Sequence, residues 1–162
     1  MTRTGFYAGS FDPPTLGHLD LIERSLVVVD RLVVGVGRNI DKAPWMALEQ
    51  RLELLAAIVP PGVEVVSFDG LAVAAARTAG ASVLLRGVRG PEDVAGELTM
   101  ARANRRLDPD CETVLLVSSP GTSHISSRLV REVHKAGGDV GLFVPRKVAA
   151  ALAKLPTPGK GV

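Results

Sequence analysis

The stretch Gly9-Ser10-Phe11-Asp12-Pro13-Pro14-Thr15-Leu16-Gly17-His18 joins a short apolar run, Gly5–Ala8, to a helical pattern that starts at Gly17. A run that short, closed by glycine and followed by an amphipathic repeat, reads as a buried strand turning into a helix. Gly9 lets the backbone approach a ligand closely, and Pro13 and Pro14 stiffen the turn. Gly17-His18 falls in the first helical turn, where unpaired N–H groups and the helix dipole favour phosphate. A histidine there tends to be neutral, yet its ring N–H can donate to a phosphate oxygen. An isolated Gly-His pair is more often just a capped or partly buried histidine; inside this ten-residue pattern the anion-binding reading is the stronger one.

Outward from this stretch the same alternation repeats. Further strands are expected at Leu32–Val36, Val63–Ser67, Ser82–Leu85 and Thr113–Val117, each too short for a helix and bounded by Gly, Pro, Asp or Ser. Helical patterns lie between and after them, at Gly17–Val28, Leu48–Ile58, Leu71–Ala79, Glu92–Arg105, Ser126–Ala136 and Lys147–Leu155. Strict alternation implies right-handed crossovers and an α/β fold, a doubly wound, five-stranded parallel sheet covered on both faces. The polar, Gly-rich segments Gly9–His18, Gly37–Lys42, Asp69–Gly70, Arg86–Asp93 and Ser118–Ser127 all follow strands, whereas the returns Asp30–Arg31, Pro60–Gly62 and Gly80–Ala81 are short. Ligands of open parallel sheets bind at the carboxyl ends of the strands, so these loops are expected to converge on one site.

Composition narrows the classes. The 162 residues are 46% hydrophobic and only 4% aromatic, so Val, Leu, Ile and Ala must build the core, as suits packed β/α layers. One domain over residues 1–155 and a frayed Pro/Gly/Lys tail over 156–162 are expected. A net charge of +2, with basic residues scattered among acidic ones, does not suggest a nucleic-acid surface. The single Cys111 cannot form an internal disulfide, the N-terminus carries no secretory signal pattern, and no apolar run approaches the roughly 20 residues of a membrane span. A cytoplasmic protein with no membrane partner is expected.

Gly-Ser-Phe-Asp-Pro-x-Thr-x-Gly-His resembles the signature of the HxGH nucleotidyltransferases, with Thr15 at its first, more variable position. Arg86-Gly87-Val88-Arg89 and Ile125-Ser126-Ser127 are the second and third landmarks, and with the chain length they are similar to the phosphopantetheine adenylyltransferases over Arg3–Ala153. The resemblance implies a Rossmann-like fold and transfer of the adenylyl group of ATP to 4′-phosphopantetheine. It also implies Mg²⁺ carried on the ATP phosphates, a homohexamer and feedback inhibition by coenzyme A. At matching positions it implies that Ser10 and His18 contact the reacting phosphates and that Lys42 holds the acceptor phosphate and stabilises the transition state. Arg86 would bind the acceptor and Arg89 the nucleotide. Phe11, Gly17, Gly87, Val88, Glu97 and Ile125, Ser126 and Ser127 would border the nucleotide, and the pantetheine arm would lie near Leu71 and Ala72. No protein nucleophile is required, because a substrate phosphate oxygen attacks the α-phosphorus in line; the enzyme aligns two polyanions and neutralises developing charge. No carboxylate cluster indicates a protein-built metal site.

Plainer readings stand beside these. Lys42 alone would be a solvated lysine; Arg86 and Arg89 could be surface charges paired with Glu92 or Asp93; Ser126-Ser127 could be a helix cap, which is compatible with phosphate binding. His124 and His134 read as incidental, Cys111 as inert, and Trp45 with Met46 as either a lid or ordinary packing. The chain departs from the resembled pattern at Ile40, where a proline is usual, at Val94–Gly96 and at Gly121–His124, which lacks aromatic residues. Those positions bear on the acceptor pocket and subunit contacts more than on phosphate handling. Two alternatives are a sister enzyme, such as a nicotinate-mononucleotide adenylyltransferase or a cytidylyltransferase, and a non-catalytic nucleotide-binding paralogue.

Overall fold

The computed structural model describes residues 2–38 and 43–156. Five strands, β1 (Thr4–Gly9), β2 (Arg31–Gly37), β3 (Glu64–Phe68), β4 (Val83–Val88) and β5 (Glu112–Val117), form one parallel sheet in the order β3-β2-β1-β4-β5. The helices are α1 (Leu16–Val28), α2 (Leu48–Ile58), α3 (Ala72–Thr78), α4 (Pro91–Leu107), α5 (Ser127–Lys135) and α6 (Arg146–Leu152), with a 3₁₀ turn at Val140–Leu142.

Side-chain alternation along the strands divides the core into two layers. Tyr7, Leu32, Val34, Val83 and Leu85 face α1 and α2, where Leu21, Ile22 and Leu55 meet them. Phe6, Ala8, Val33 and Leu84 point to the opposite face and pack on Val73 and Ala76 of α3. A smaller cluster joins Met46 to Val130, Val148 and Leu152 of α5 and α6.

The expected architecture is the observed one, with two differences. β4 continues to Val88 rather than ending at Leu85, because Arg86, Gly87 and Val88 pair with Leu115, Leu116 and Val117 of β5. Arg86 is therefore held by a strand, not by a loop. The 3₁₀ turn was not legible, yet it matters: the carbonyl of Phe143, just beyond it, accepts from the amide of Leu16 at 3.0 Å and seats the start of α1. Ser126 and Ala136, expected as the ends of α5, are its caps. The tail expected from residue 156 lies, Pro156 apart, outside the described residues.

The crossover from β1 runs through α1 to β2 on one side, while β4 flanks β1 on the other. The sheet's switch point is thus between the ends of β1 and β4, the place where a crevice opens in such sheets.

Close packing at the sheet centre gives a test. A Cβ on Gly35 would stand 2.7 Å from Cε1 of the fully buried Phe6 and 3.0 Å from Phe68, two rings already in edge contact at 5.7 Å. Phe6 is fully buried and Phe68 half-buried, so relieving the overlap means displacing a packed ring, and Gly35→Ala is expected to lose about 1–3 kcal/mol in urea unfolding; wild-type stability would contradict this packing.

Candidate active site

Helix α1 starts at the switch point, and its first turn is used up almost completely by the protein. Leu16 donates to Phe143, and the amide of His18 donates to the Thr15 hydroxyl at 3.3 Å. Among the described residues this leaves the Gly17 amide as the free donor of the first turn. Glycine is needed there for a second reason: a Cβ would stand 3.2 Å from the carbonyl oxygen of Ile125.

Thr15 and His18 form a reciprocal cap. The Thr15 amide donates to His18 Nδ1 at 3.0 Å, and the Thr15 hydroxyl lies 3.0 Å from the same nitrogen. Since Nδ1 accepts, these bonds assign the proton of the neutral ring to Nε2. Burial, with the Arg89 guanidinium adding to it, pushes the imidazole down to about 4. His18 is consequently a neutral N–H donor at neutral pH, backed by Phe11 at 4.8 Å between ring centres.

A cleft of about 280 Å³ opens over these groups. Its walls include Gly9, Thr15, Gly17 and His18 from the first loop, Arg86, Gly87 and Arg89 from β4, and Ile125, Ser126 and Ser127 before α5. The serine hydroxyls differ: Ser126 accepts from the Leu129 amide at 3.1 Å and keeps its own O–H to donate, whereas Ser127 donates its proton to the Pro13 carbonyl at 2.8 Å. α5 therefore offers a ligand its first backbone amides and the Ser126 O–H.

Both arginines are paired: Arg89 as an exposed charge on Asp93, the plainer reading, and Arg86 half-buried on Glu97 rather than on Glu92 or Asp93. Arg86 forks onto Glu97 at 2.8 and 2.6 Å and donates to the Ala8 carbonyl at 3.0 Å, which ties β4, α4 and β1 together. Arg89 forks onto Asp93 at 3.0 and 3.1 Å. The second pair is the more open, with the Arg89 side chain 44% exposed against 33% for Arg86.

Other expected residues lie elsewhere. Phe11 is buried below the loop, with a positive φ of 49° that its place in the core sustains, and it does not line the cleft. Val88 is buried at the end of β4, beside Pro91 and Val94, and does not line the cleft. Ser10 is exposed and borders a second cavity, with Asp12, Gly37, Arg51 and Arg131. Leu71 and Ala72 stand at the start of α3, after the edge strand β3, away from the cleft. Lys42 and Ile40 lie outside the described residues. Trp45 and Met46 are packing: their amides donate to Asp12 at 2.7 and 2.8 Å, Met46 is 1% exposed, and Trp45 rests on His134.

Residues 6–133 match the cytidylyltransferase-like family model. A phosphopantetheine adenylyltransferase of a Synechococcus species is 50% identical over 150 residues, spanning 91% of both chains. Another, from Cereibacter sphaeroides, is 46% identical over 93% of this chain and 96% of its own. The chain belongs to the phosphopantetheine adenylyltransferase family. At the level of fold alone, a Vibrio parahaemolyticus structure assigned as a nicotinate-nucleotide adenylyltransferase superposes with a TM-score of 0.65 at 16% identity, covering 94% of this chain and 91% of its own.

Two residues of this family member were missed by sequence reasoning. Thr15 was read only as a variable motif position, although Thr-x-x-His at a helix start carries the spacing of a capping box. Asp20 had no signal beyond its place one turn into α1. Its carboxylate accepts from the Ser119 amide at 3.1 Å, the Ser119 hydroxyl at 2.7 Å and the Thr122 hydroxyl at 3.1 Å, pinning the loop before α5. Burial alone would raise this carboxyl; those bonds, with Arg24 nearby, outweigh it and hold the group below its usual range.

The depressed His18 predicts a pH effect. Between pH 6.5 and about 4 an unfolded chain protonates this ring and the folded one does not, so stability falls as pH falls. The contribution is at most about 3.5 kcal/mol, from about 1.4 kcal/mol per pH unit. Asp20 stays charged over that window. Urea unfolding from pH 7 to 4.5 is expected to cost wild type more than His18→Gln; parallel profiles would contradict a neutral, half-buried His18.

Proposed function

We propose that this chain is a nucleotidyltransferase that moves the adenylyl group of ATP onto the phosphate of 4′-phosphopantetheine, giving dephospho-coenzyme A and pyrophosphate, a step of coenzyme A biosynthesis. The observation that carries the reading is the convergence of two helix N-termini, those of α1 and α5, on one cleft that also holds His18, in a chain of this family.

The chemistry needs alignment and charge stabilisation rather than a nucleophile. The Nε2–H of His18 and the Gly17 amide would donate to oxygens of the α-phosphate, and the α5 amides to the outgoing phosphates. Arg89, whose pair with Asp93 is half exposed, can turn to a triphosphate, whereas Arg86, held by three bonds, sets the wall on which the acceptor rests. Ser10 and Lys42 belong to this proposal on the acceptor side. Mg²⁺ on the ATP phosphates would lower their repulsion; among the described residues no three acidic, His or Cys side chains gather, which fits an ion that keeps waters and phosphate ligands.

Self-association is part of the same reading. Of the 17 residues of α4 only Asn104 is buried, and Leu98 and Met100 are 42% and 50% exposed, which supports a homo-oligomer. Among the described residues no helix is long and apolar enough to cross a membrane, which supports work in the cytoplasm. A nicotinate acceptor is less favoured, since among the described residues Tyr7 and His18 are the only aromatic side chains lining the cleft.

Pyrophosphate release from ATP should be much faster with 4′-phosphopantetheine than with nicotinate mononucleotide, and nearly absent with pantetheine lacking the phosphate. A faster rate with nicotinate mononucleotide would overturn the acceptor while leaving adenylyl transfer intact. His18→Ala should keep the fold and lower kcat about 10²–10³-fold, the effect of removing one preorganised donor; unchanged turnover would remove His18 from the mechanism.

A further inference from the structure

Arg51, at the end of the first turn of α2, is absent from every motif discussed above and is 3% exposed. Its guanidinium reaches the ends of two strands. One nitrogen, Nη1, donates to the Ser10 carbonyl at 2.7 Å and to the Gly37 carbonyl at 3.3 Å. The pairing of β1 with β2 ends at Gly9 and Val36, so Ser10 and Gly37 are the first residues past it. Where the ladder stops, one side chain takes over.

This is an expensive way to join two loops. Burying a guanidinium costs several kcal/mol unless it is well paired, and Nε of Arg51 is buried without a partner among the described residues. A shorter neutral amide could satisfy a carbonyl without that penalty. What the arginine adds is reach from α2 and a positive charge directly behind Ser10, an exposed residue at the second cavity that the proposed function puts on the acceptor side. Arg131 of α5 holds the same loop from the other side, through the Asp12 carbonyl.

We propose that Arg51 is a positioning residue for adenylyl transfer: through the Ser10 and Gly37 carbonyls it holds the Ser10 hydroxyl against the reacting phosphates. The proposal rests on the adenylyl-transfer reading. It makes Arg51 act through Ser10, not on substrate.

A double-variant cycle tests this. In Arg51→Lys, kcat for pyrophosphate release should fall about 10- to 100-fold, the scale of a misplaced contact group, while ATP binds in calorimetry with wild-type stoichiometry and affinity. In a Ser10→Ala background the same change should cost less than about twofold, because the group being positioned is gone. Wild-type kcat in Arg51→Lys, or losses that multiply in the double variant, would overturn the proposal. So would ATP stoichiometry falling in step with rate, which marks a purely structural role. If Arg51→Lys does not fold, Arg51→Gln is read in the same way, and failure of both to bind ATP as wild type does likewise makes the role structural. A wild-type protein inactive toward 4′-phosphopantetheine is a separate result, which sinks the function reading itself.

Discussion

The bond from the Thr15 amide to Nδ1 of His18 is the constraint on which the site depends. It caps α1, it chooses the ring tautomer, and it holds the imidazole where burial keeps it neutral. Each consequence needs the others. A charged ring would donate from both nitrogens and could not accept from Thr15; a loose ring would point its remaining N–H anywhere. One short-range interaction, spanning three residues, therefore converts a helix terminus into an aimed hydrogen-bond donor.

Longer-range ties keep that terminus in register with the rest of the cleft. Phe143 seats Leu16, Asp20 pins Ser119 and Thr122, and Ser127 bonds back to Pro13. The loops after β1 and β5 are thus fastened to each other by polar groups that are already satisfied, which leaves the backbone amides, with the Ser126 O–H, to meet phosphate. Carboxylates play the matching part for the cations: Glu97 immobilises Arg86 and Asp93 holds Arg89. Preorganisation of this kind lets a site stabilise developing charge without rearranging when charge appears.

Much of the fold was legible because it rests on period and punctuation. Five short apolar runs separated by helical patterns can hardly pack except as a covered parallel sheet, and the first loop carries enough glycine, proline and histidine to mark its own role. What escaped was whatever depends on partners far apart in sequence. Arg86 sits inside β4 because β5 extends the ladder, and nothing in Arg-Gly-Val-Arg announces that. Ala72 opens α3 beside the edge strand, a placement set by strand order and not by local pattern. Asp20 and Arg51 find their partners across 99 and 41 residues, so their neighbourhoods show no local spacing to read.

The most direct test of the account is ¹⁵N NMR of the His18 imidazole in the folded protein, followed from pH 8 to pH 5. The account predicts that Nε2 resonates as the protonated nitrogen and Nδ1 as the bare acceptor across that whole range. A proton on Nδ1, or a titration centred near the ordinary histidine value of about 6.5, would contradict it.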